Sequence, residues 1–182
     1  AERYPDDLKK QVECREKISK ASNLLLELIN EVLDMGKLES GEVVLEEKSF
    51  HLQELLNEVL TVIEKLAQER DIEVIKRDFS VTHWNLIGSP GHLKRLLMNI
   101  AGNAVKYNKD HGKIILSLRE DESEDGRAFY TFICKDTGIG MSEEYQKRIF
   151  EPFTREDESV KTAYNGTGLG MPISSQDRKS VV

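Results

Sequence analysis

One run of apolar residues constrains this chain before anything else does. Ile18, Ala21, Leu25, Leu28, Val32 and Met35 recur at alternating three- and four-residue steps. That period matches a helical seam and no strand, because a strand repeats every two residues. Leu24, Leu26, Ile29 and Leu33 widen the apolar face beyond a two-stranded seam, while Lys9, Lys10, Glu13, Arg15, Glu16 and Lys20 charge the stretch before it. The spacing predicts a long amphipathic helix over residues 6–35. Gly36 is its expected terminator and Ser40-Gly41 marks a turn. The predicted organisation is therefore a helical segment, 1–41, and a globular domain, 42–182.

Past the turn the period changes. Val43-Val44-Leu45 reads as a short strand, and Ser49 as the cap of a helix over about 51–69. Its face is Leu52, Leu55, Leu56, Val59, Leu60, Ile63 and Leu66. Ile72, Val74 and Phe79 suggest one strand and Trp84–Ile87 another. Ser89-Pro90 then opens a helix to about 107, with serine as cap and proline where a missing N–H is harmless. Lys113–Arg119 and Ala128–Cys134 read as strands around a solvated acidic hairpin loop, 120–126. Helix, strand, helix, two strands, helix and hairpin together predict an α+β sandwich, one sheet with helices on one face.

Composition narrows the function classes. The 182 residues are 38% hydrophobic, enough for a core, and carry a net charge of −7. An acidic chain argues against a nucleic-acid or anionic-membrane binder. No apolar run approaches the roughly 18 residues that cross a bilayer, and Ala1-Glu2-Arg3-Tyr4-Pro5 is no signal peptide. Cys14 and Cys134 lie far apart with no metal-ligand spacing, as expected of reduced thiols in the cytosol.

Chemistry concentrates in four patches. In the first, Asn99, Asn103 and Lys106 share one helix face, followed by Tyr107. Paired mid-helix asparagines are poor helix formers; an amide oxygen can ligate Mg²⁺, and a lysine one turn away suits a polyphosphate. From Gly91 to Lys113 the chain carries Lys94, Arg95, Lys106, Lys109 and Lys113 against Asp110. The alternative is a solvated helix face. In the second, Asp136-Thr137-Gly138-Ile139-Gly140-Met141 follows an apolar strand. A carboxylate there can accept from the exocyclic amine of adenine, and glycines let backbone approach a flat ring; the alternative is a turn. In the third, Phe150 and Phe153 flank Glu151-Pro152 as loop anchors, and the polar run 154–165 has the composition of a mobile lid. The fourth, Gly166-Thr167-Gly168-Leu169-Gly170-Met171, can converge backbone N–H groups on phosphate oxygens, aided by a helix starting near Pro172. It lacks the Gly-Lys-Ser/Thr of a P-loop and the spacing of a dinucleotide fingerprint.

In this order, the patches resemble the N, G1, F and G2 boxes of the sensor histidine kinase catalytic domain. That domain has the Bergerat ATP-binding fold, a two-layer α/β sandwich with a mixed sheet, shared with DNA gyrase, mismatch-repair ATPases and a heat-shock chaperone. Leu24–Gly41 looks like the second dimerisation helix of the hybrid kinases. The resemblance implies ATP and Mg²⁺ as cofactors, Asn103 as metal ligand and Asp136 as adenine reader. Gly138 and Gly140 would shape the adenine pocket. Lys106 and Tyr107 would face the nucleotide, as would Phe153 at the lid, and Gly166, Thr167, Gly168, Leu169 and Gly170 would cradle the phosphates.

Asn99 stands where hydrolytic relatives usually place a glutamate. An amide cannot be a general base, so transfer to an external nucleophile is favoured over hydrolysis. The implied activity is γ-phosphoryl transfer to a histidine, then to the aspartate of a response-regulator receiver domain. The parent would be a homodimer through the N-terminal helix, its kinase core cytoplasmic even where it is anchored in the inner membrane. Two rival readings are a nucleotide-free dimerisation or interaction module and a Bergerat-fold ATPase.

Two features depart from the family. None of His51, His83, His92 and His111 sits in a phosphoacceptor context, so no autophosphorylation of this chain alone is expected. After Met171-Pro172-Ile173-Ser174, residues 175–182 do not match the apolar helix, Gly-Gly turn and strands of the family. Without those elements the sheet's apolar face would be exposed, and reduced stability or a shielding partner is expected.

Overall fold

The computed structural model describes residues 7–39, 46–124, 127–151, 154 and 171. Val43-Val44-Leu45, Phe153 and the Gly166–Gly170 run lie outside them. The chain divides into two compact units, Ala1–Glu42 and Val43–Val182.

The first unit holds α1, Leu8–Glu39. Asp7 caps it: its carboxylate accepts the Lys10 N–H at 3.0 Å. The helix does not stop at Gly36 but runs three residues further. A helical glycine costs only about 1 kcal/mol relative to alanine, and Lys37-Leu38-Glu39 are good helix formers with no proline after them. Leu8, Val12, Ile18, Leu25, Leu26, Ile29 and Leu33 are exposed.

In the second unit, β1 (Lys48–His51) leads directly into α2 (Leu52–Gln68). Ser49 is thus a strand residue, paired opposite Ile87, and not a helix cap. His51 takes the cap position without a side-chain cap bond. The chain reverses there because the Leu52 N–H donates to the Trp84 carbonyl at 2.8 Å, with the His51 ring parallel to that of Trp84. Past α2, Asp71 adopts φ 52°, the left-handed turn that often ends a helix.

Strands β2 (Glu73–Ser80), β3 (Asn85–Gly88), β4 (Lys113–Glu124) and β5 (Arg127–Asp136) follow, with α3 (Pro90–Lys106) between β3 and β4 and α4 (Glu143–Arg148) last. The described strands form two sheets where one was expected. One is the antiparallel pair β1–β3; the other is the mixed sheet β2–β4–β5, parallel at β2–β4 and antiparallel at β4–β5.

β4 continues through the acidic stretch expected to be a loop, because two of its carboxylates have donors. Glu120 accepts the N–H groups of Thr82 and His83 at 2.6 and 2.8 Å, and pairs with the His83 ring. Asp121 accepts from the Thr131 hydroxyl across the hairpin.

The core lies between the α2–α3 layer and the mixed sheet. α2 contributes Leu52, Leu55, Leu56, Val59, Leu60, Ile63 and Ala67; α3 contributes Leu97, Ala101, Ala104 and Val105. Ile114, Leu116 and Leu118 alternate along β4. Each large side chain buried there is worth about 1.5–3 kcal/mol. Leu66, expected on the core face of α2, is 40% exposed, and Ala67 is buried instead. At 3.6 residues per turn the apolar stripe has drifted by one position at that end.

Candidate functional site

Helix α3 begins as its sequence directs, with Pro90 in the first turn. Ser89 occupies the cap position, but its hydroxyl pairs with His92 Nδ1 at 2.7 Å and makes no cap bond. One α3 face is committed to the core, which turns Asn99, Asn103 and Lys106 onto a half-buried side. Among the described residues, the Asn103 side-chain amide has no hydrogen-bond partner. The Lys106 ammonium lies 5.1 Å from the centroid of the Tyr107 ring, within cation–π range.

Strand β5 delivers Asp136 to the end of this helix. Its Oδ1 accepts the Gly138 N–H at 2.8 Å, which curls the backbone into a tight turn. The Ile139 N–H donates to the Tyr107 carbonyl at 3.1 Å, so the Asp136–Gly140 segment is tied to α3. A side chain at Gly138 would collide with that same carbonyl. Gly140 has φ 73°, a conformation open to glycine and costly for most other residues. Beyond the turn, Ile139 and Met141 are 62% and 48% exposed.

The structure thus joins Tyr107, at the end of α3, to Gly138 and Ile139 of the Asp136 turn; Lys106 is the last residue of that helix, and Asn103 and Asn99 lie one and two turns before its end. Phe150, expected to anchor the loop with Phe153, is 52% exposed. The preceding α4 has only 6 residues and buries none of them.

Sequence reasoning passed over Asn108, which joins the end of α3 to the Asp136–Gly140 loop, and Arg70, which closes the helix. Asn108 is 1% exposed. Its Nδ2 donates to the Lys113 carbonyl at 3.1 Å; its Oδ1 accepts from the Lys109 N–H at 3.0 Å and from the Thr137 hydroxyl at 3.1 Å. Arg70 closes the C-terminus of α3. Its guanidinium donates to the carbonyls of Val105, Lys106 and Asn108 at 2.8, 3.2 and 2.7 Å, and to Asp110 Oδ1 at 2.9 Å. A cation there meets both the unpaired carbonyls and the negative end of the helix dipole. No local signal marks Arg70, since its partners lie 35 to 40 residues away.

Elsewhere in the sheet, burial pushes the Cys134 thiol up to about 12, helped by the charge of Asp136. That thiol is unsuited to nucleophilic chemistry. His83 lies in the loop before β3, and His111 adopts φ 58° in the turn before β4.

Residues 88–181 match the family described as histidine kinase-, DNA gyrase B-, and HSP90-like ATPase. The chain belongs to that family. It is similar to the sensor histidine kinase GacS of Pseudomonas protegens, 35% identical over 87% of this chain and 17% of that protein. Against the signal transduction histidine-protein kinase BarA of Escherichia coli the identity is 33%, with the same coverage. The hybrid signal transduction histidine kinase K of Dictyostelium discoideum is 35% identical over 87% of this chain and 14% of its own length. The chain therefore spans less than a fifth of each of these relatives.

Among solved structures, full-length ShkA in complex with AMPPNP superposes with a TM-score of 0.75 at 27% identity, covering 94% of this chain and 34% of that one. The histidine kinase AdeS of Acinetobacter baumannii, at 16% identity, shares the fold with a TM-score of 0.68. These likenesses agree with a Bergerat-type sandwich. No helix among the described residues is long and apolar enough to cross a membrane.

Proposed function

We propose that this chain is the nucleotide-binding part of a sensor histidine kinase, in which residues 42–182 hold Mg²⁺–ATP and 1–41 belong to a dimerisation helix. The observation that carries the reading is the closure of the Asp136 turn onto the end of α3 through Ile139 and Tyr107. That closure supports a reading in which the Asp136 carboxylate meets an adenine amine while the α3 face, with its amide and ammonium, meets the phosphates.

Asp136 would accept from the exocyclic amine, since only Oδ1 is used by the turn among the described residues. Ile139 and Met141 offer exposed apolar surface to a flat ring. Lys106 would meet the phosphates. Gly166, Thr167, Gly168, Leu169 and Gly170 would line them with backbone N–H groups, and Phe153 would belong to the lid.

Asn103 fits a Mg²⁺ site. Its amide has no partner among the described residues, and Mg²⁺ commonly takes one or two protein oxygens with the rest from phosphate and water. No acidic or histidine cluster among the described residues offers a rival cage. When bound, the ion would neutralise phosphate charge. Asn99 cannot take a proton from water, so the site favours transfer over hydrolysis. Phosphoryl transfer asks chiefly for positioning and charge neutralisation, which Lys106 and the backbone amides supply. The acceptor would be a histidine, with a receiver-domain aspartate after it, and α1 would pair with a second copy of the parent.

The test is calorimetric titration of the chain with Mg²⁺–ATP, using Asp136→Ala as control. Binding at a micromolar to sub-millimolar Kd, about −8 to −5 kcal/mol, and its loss in the control are expected. Equal heats from both proteins would remove the adenine site from where it is placed here.

A further inference from the structure

We infer that Asn108 and Thr137 form a polar clip that sets the adenine-reading turn at its distance from α3, making both positioning residues for base recognition. The inference rests on the nucleotide site proposed above and adds to it how the base is discriminated.

The Thr137 hydroxyl is committed twice. It donates to Asn108 Oδ1 at 3.1 Å and accepts the Lys113 N–H at 2.9 Å. The backbone repeats the link, since the Thr137 N–H donates to the Lys113 carbonyl at 3.1 Å. The buried Asn108 amide is used at both ends, by Lys113 on one side and by Lys109 and Thr137 on the other. Arg70 fixes the Asn108 carbonyl from behind.

The clip closes over Gly112. A side chain there would strike Asn108 Oδ1 and come within 2.8 Å of both the Lys109 carbonyl and the Thr137 hydroxyl. Gly138 meets the Tyr107 carbonyl just as closely. Helix end and turn therefore approach one another closely at these glycine positions, and the clip adds side-chain bonds to the Ile139–Tyr107 and Thr137–Lys113 backbone bonds that link them.

None of the clip's atoms is assigned to nucleotide. They join the element that carries the amide and ammonium to the one that carries Asp136. Hydrogen bonds weaken steeply outside a narrow range of length and angle. A small shift of the turn therefore costs the Asp136 contact to adenine first and leaves the α3 contacts to phosphate in place. GTP presents a carbonyl where ATP presents the amine, so the preference between the two reads the position of Asp136.

The experiment titrates the whole chain and its Thr137→Val and Thr137→Ser variants with Mg²⁺–ATP and Mg²⁺–GTP, and follows amide exchange at Ile139 by NMR. Valine keeps the shape and removes the hydroxyl; serine keeps the hydroxyl. Expected for Thr137→Val are about a tenfold weaker ATP affinity, an equal loss of ATP-over-GTP preference, and faster Ile139 exchange. Thr137→Ser should stay within about twofold of the native chain. A valine variant that keeps its preference, a parallel loss of both nucleotides, or a serine variant that fails to rescue would overturn the proposal. If the native chain binds neither nucleotide, the functional reading falls. Ile139 exchange unchanged by valine would then overturn the clip by itself. Asn108→Ala is a supporting variant, and the threonine pair decides the matter even where that protein does not fold.

Discussion

α1 and α2 carry the same kind of apolar stripe and use it in opposite ways. In α2 the stripe is closed: Ile63 is 0% exposed and Leu52 3%, against α3 and the sheet. In α1 the described apolar residues stay open, with Leu8 at 76% and Ile18 at 63%. A seam written in sequence states that a helix needs a partner and leaves open where that partner is. For α2 it is in the same unit. For α1, the proposed function places it on a second copy of the parent chain.

The largest test of that contrast is a matched truncation. Ile63→Ala should cost the Val43–Val182 unit about 2–5 kcal/mol in urea unfolding, through lost burial and the cavity left behind. Ile18→Ala should move the same transition by less than about 0.5 kcal/mol. Equal losses would mean that the α1 seam supports the core of the second unit after all.

A second, smaller test sets two carboxylates against each other. Glu13 pairs with Lys17 at 2.6 Å on the exposed side of α1, both side chains more than half exposed, where such pairs contribute little. Glu120, with 9% of its side chain exposed, is held at about 2 instead of 4.5 by the His83 ring bond and then by backbone N–H groups. A carboxyl lowered by folding stabilises above its unfolded value, and that contribution drains away as the pH falls from 4.5 towards about 2. Glu120→Gln should therefore lower the melting temperature at neutral pH by a few degrees and flatten the acid limb in that window. Glu13→Gln should do neither. Melting curves recorded across the acid range check both.

The smallest effect concerns the free thiols, Cys14 on α1 and Cys134 on β5. Cys134 is half-buried and its thiol is pushed up to about 12, so brief alkylation at mildly basic pH should label Cys14 ahead of Cys134 until the sheet is unfolded. Peptide mass mapping reads the ratio. Equal labelling would show that β5 opens readily.

The sequence made legible whatever is written in one stretch of chain. The α2 seam, the Pro90 start of α3 and the apolar alternation of β4 are local patterns, and the structure carries each of them with small shifts of boundary. The α3 face and the Asp136 turn stood out as candidates, because asparagines in mid-helix and glycines after a strand are odd choices for structure alone. What was not legible depends on distant partners. Glu120 looked like a solvated loop because the N–H groups that receive it belong to Thr82 and His83, which adjoin it only once the sheet has formed. Ser49 looked like a cap because a strand of four residues ending at His51 leaves little periodic trace. Asn108 and Arg70 were invisible for the same reason, though Asn108 joins the end of α3 to the Asp136 turn and Arg70 closes that helix.

The pairing order of the mixed sheet has a consequence in time. β2 pairs with β4 alone among the described strands, and the whole of α3 is made between them. A ribosome adding roughly 5–20 residues each second therefore leaves Val74, Ile75 and Phe79 waiting for seconds before their partner strand exists. β5 follows β4 across a tight hairpin and closes almost as soon as it emerges. The newborn chain is most exposed to stray association during that wait, and the charged residues Lys76, Arg77 and Asp78, set among the apolar ones of β2, are well placed to keep the unpaired strand in solution until then.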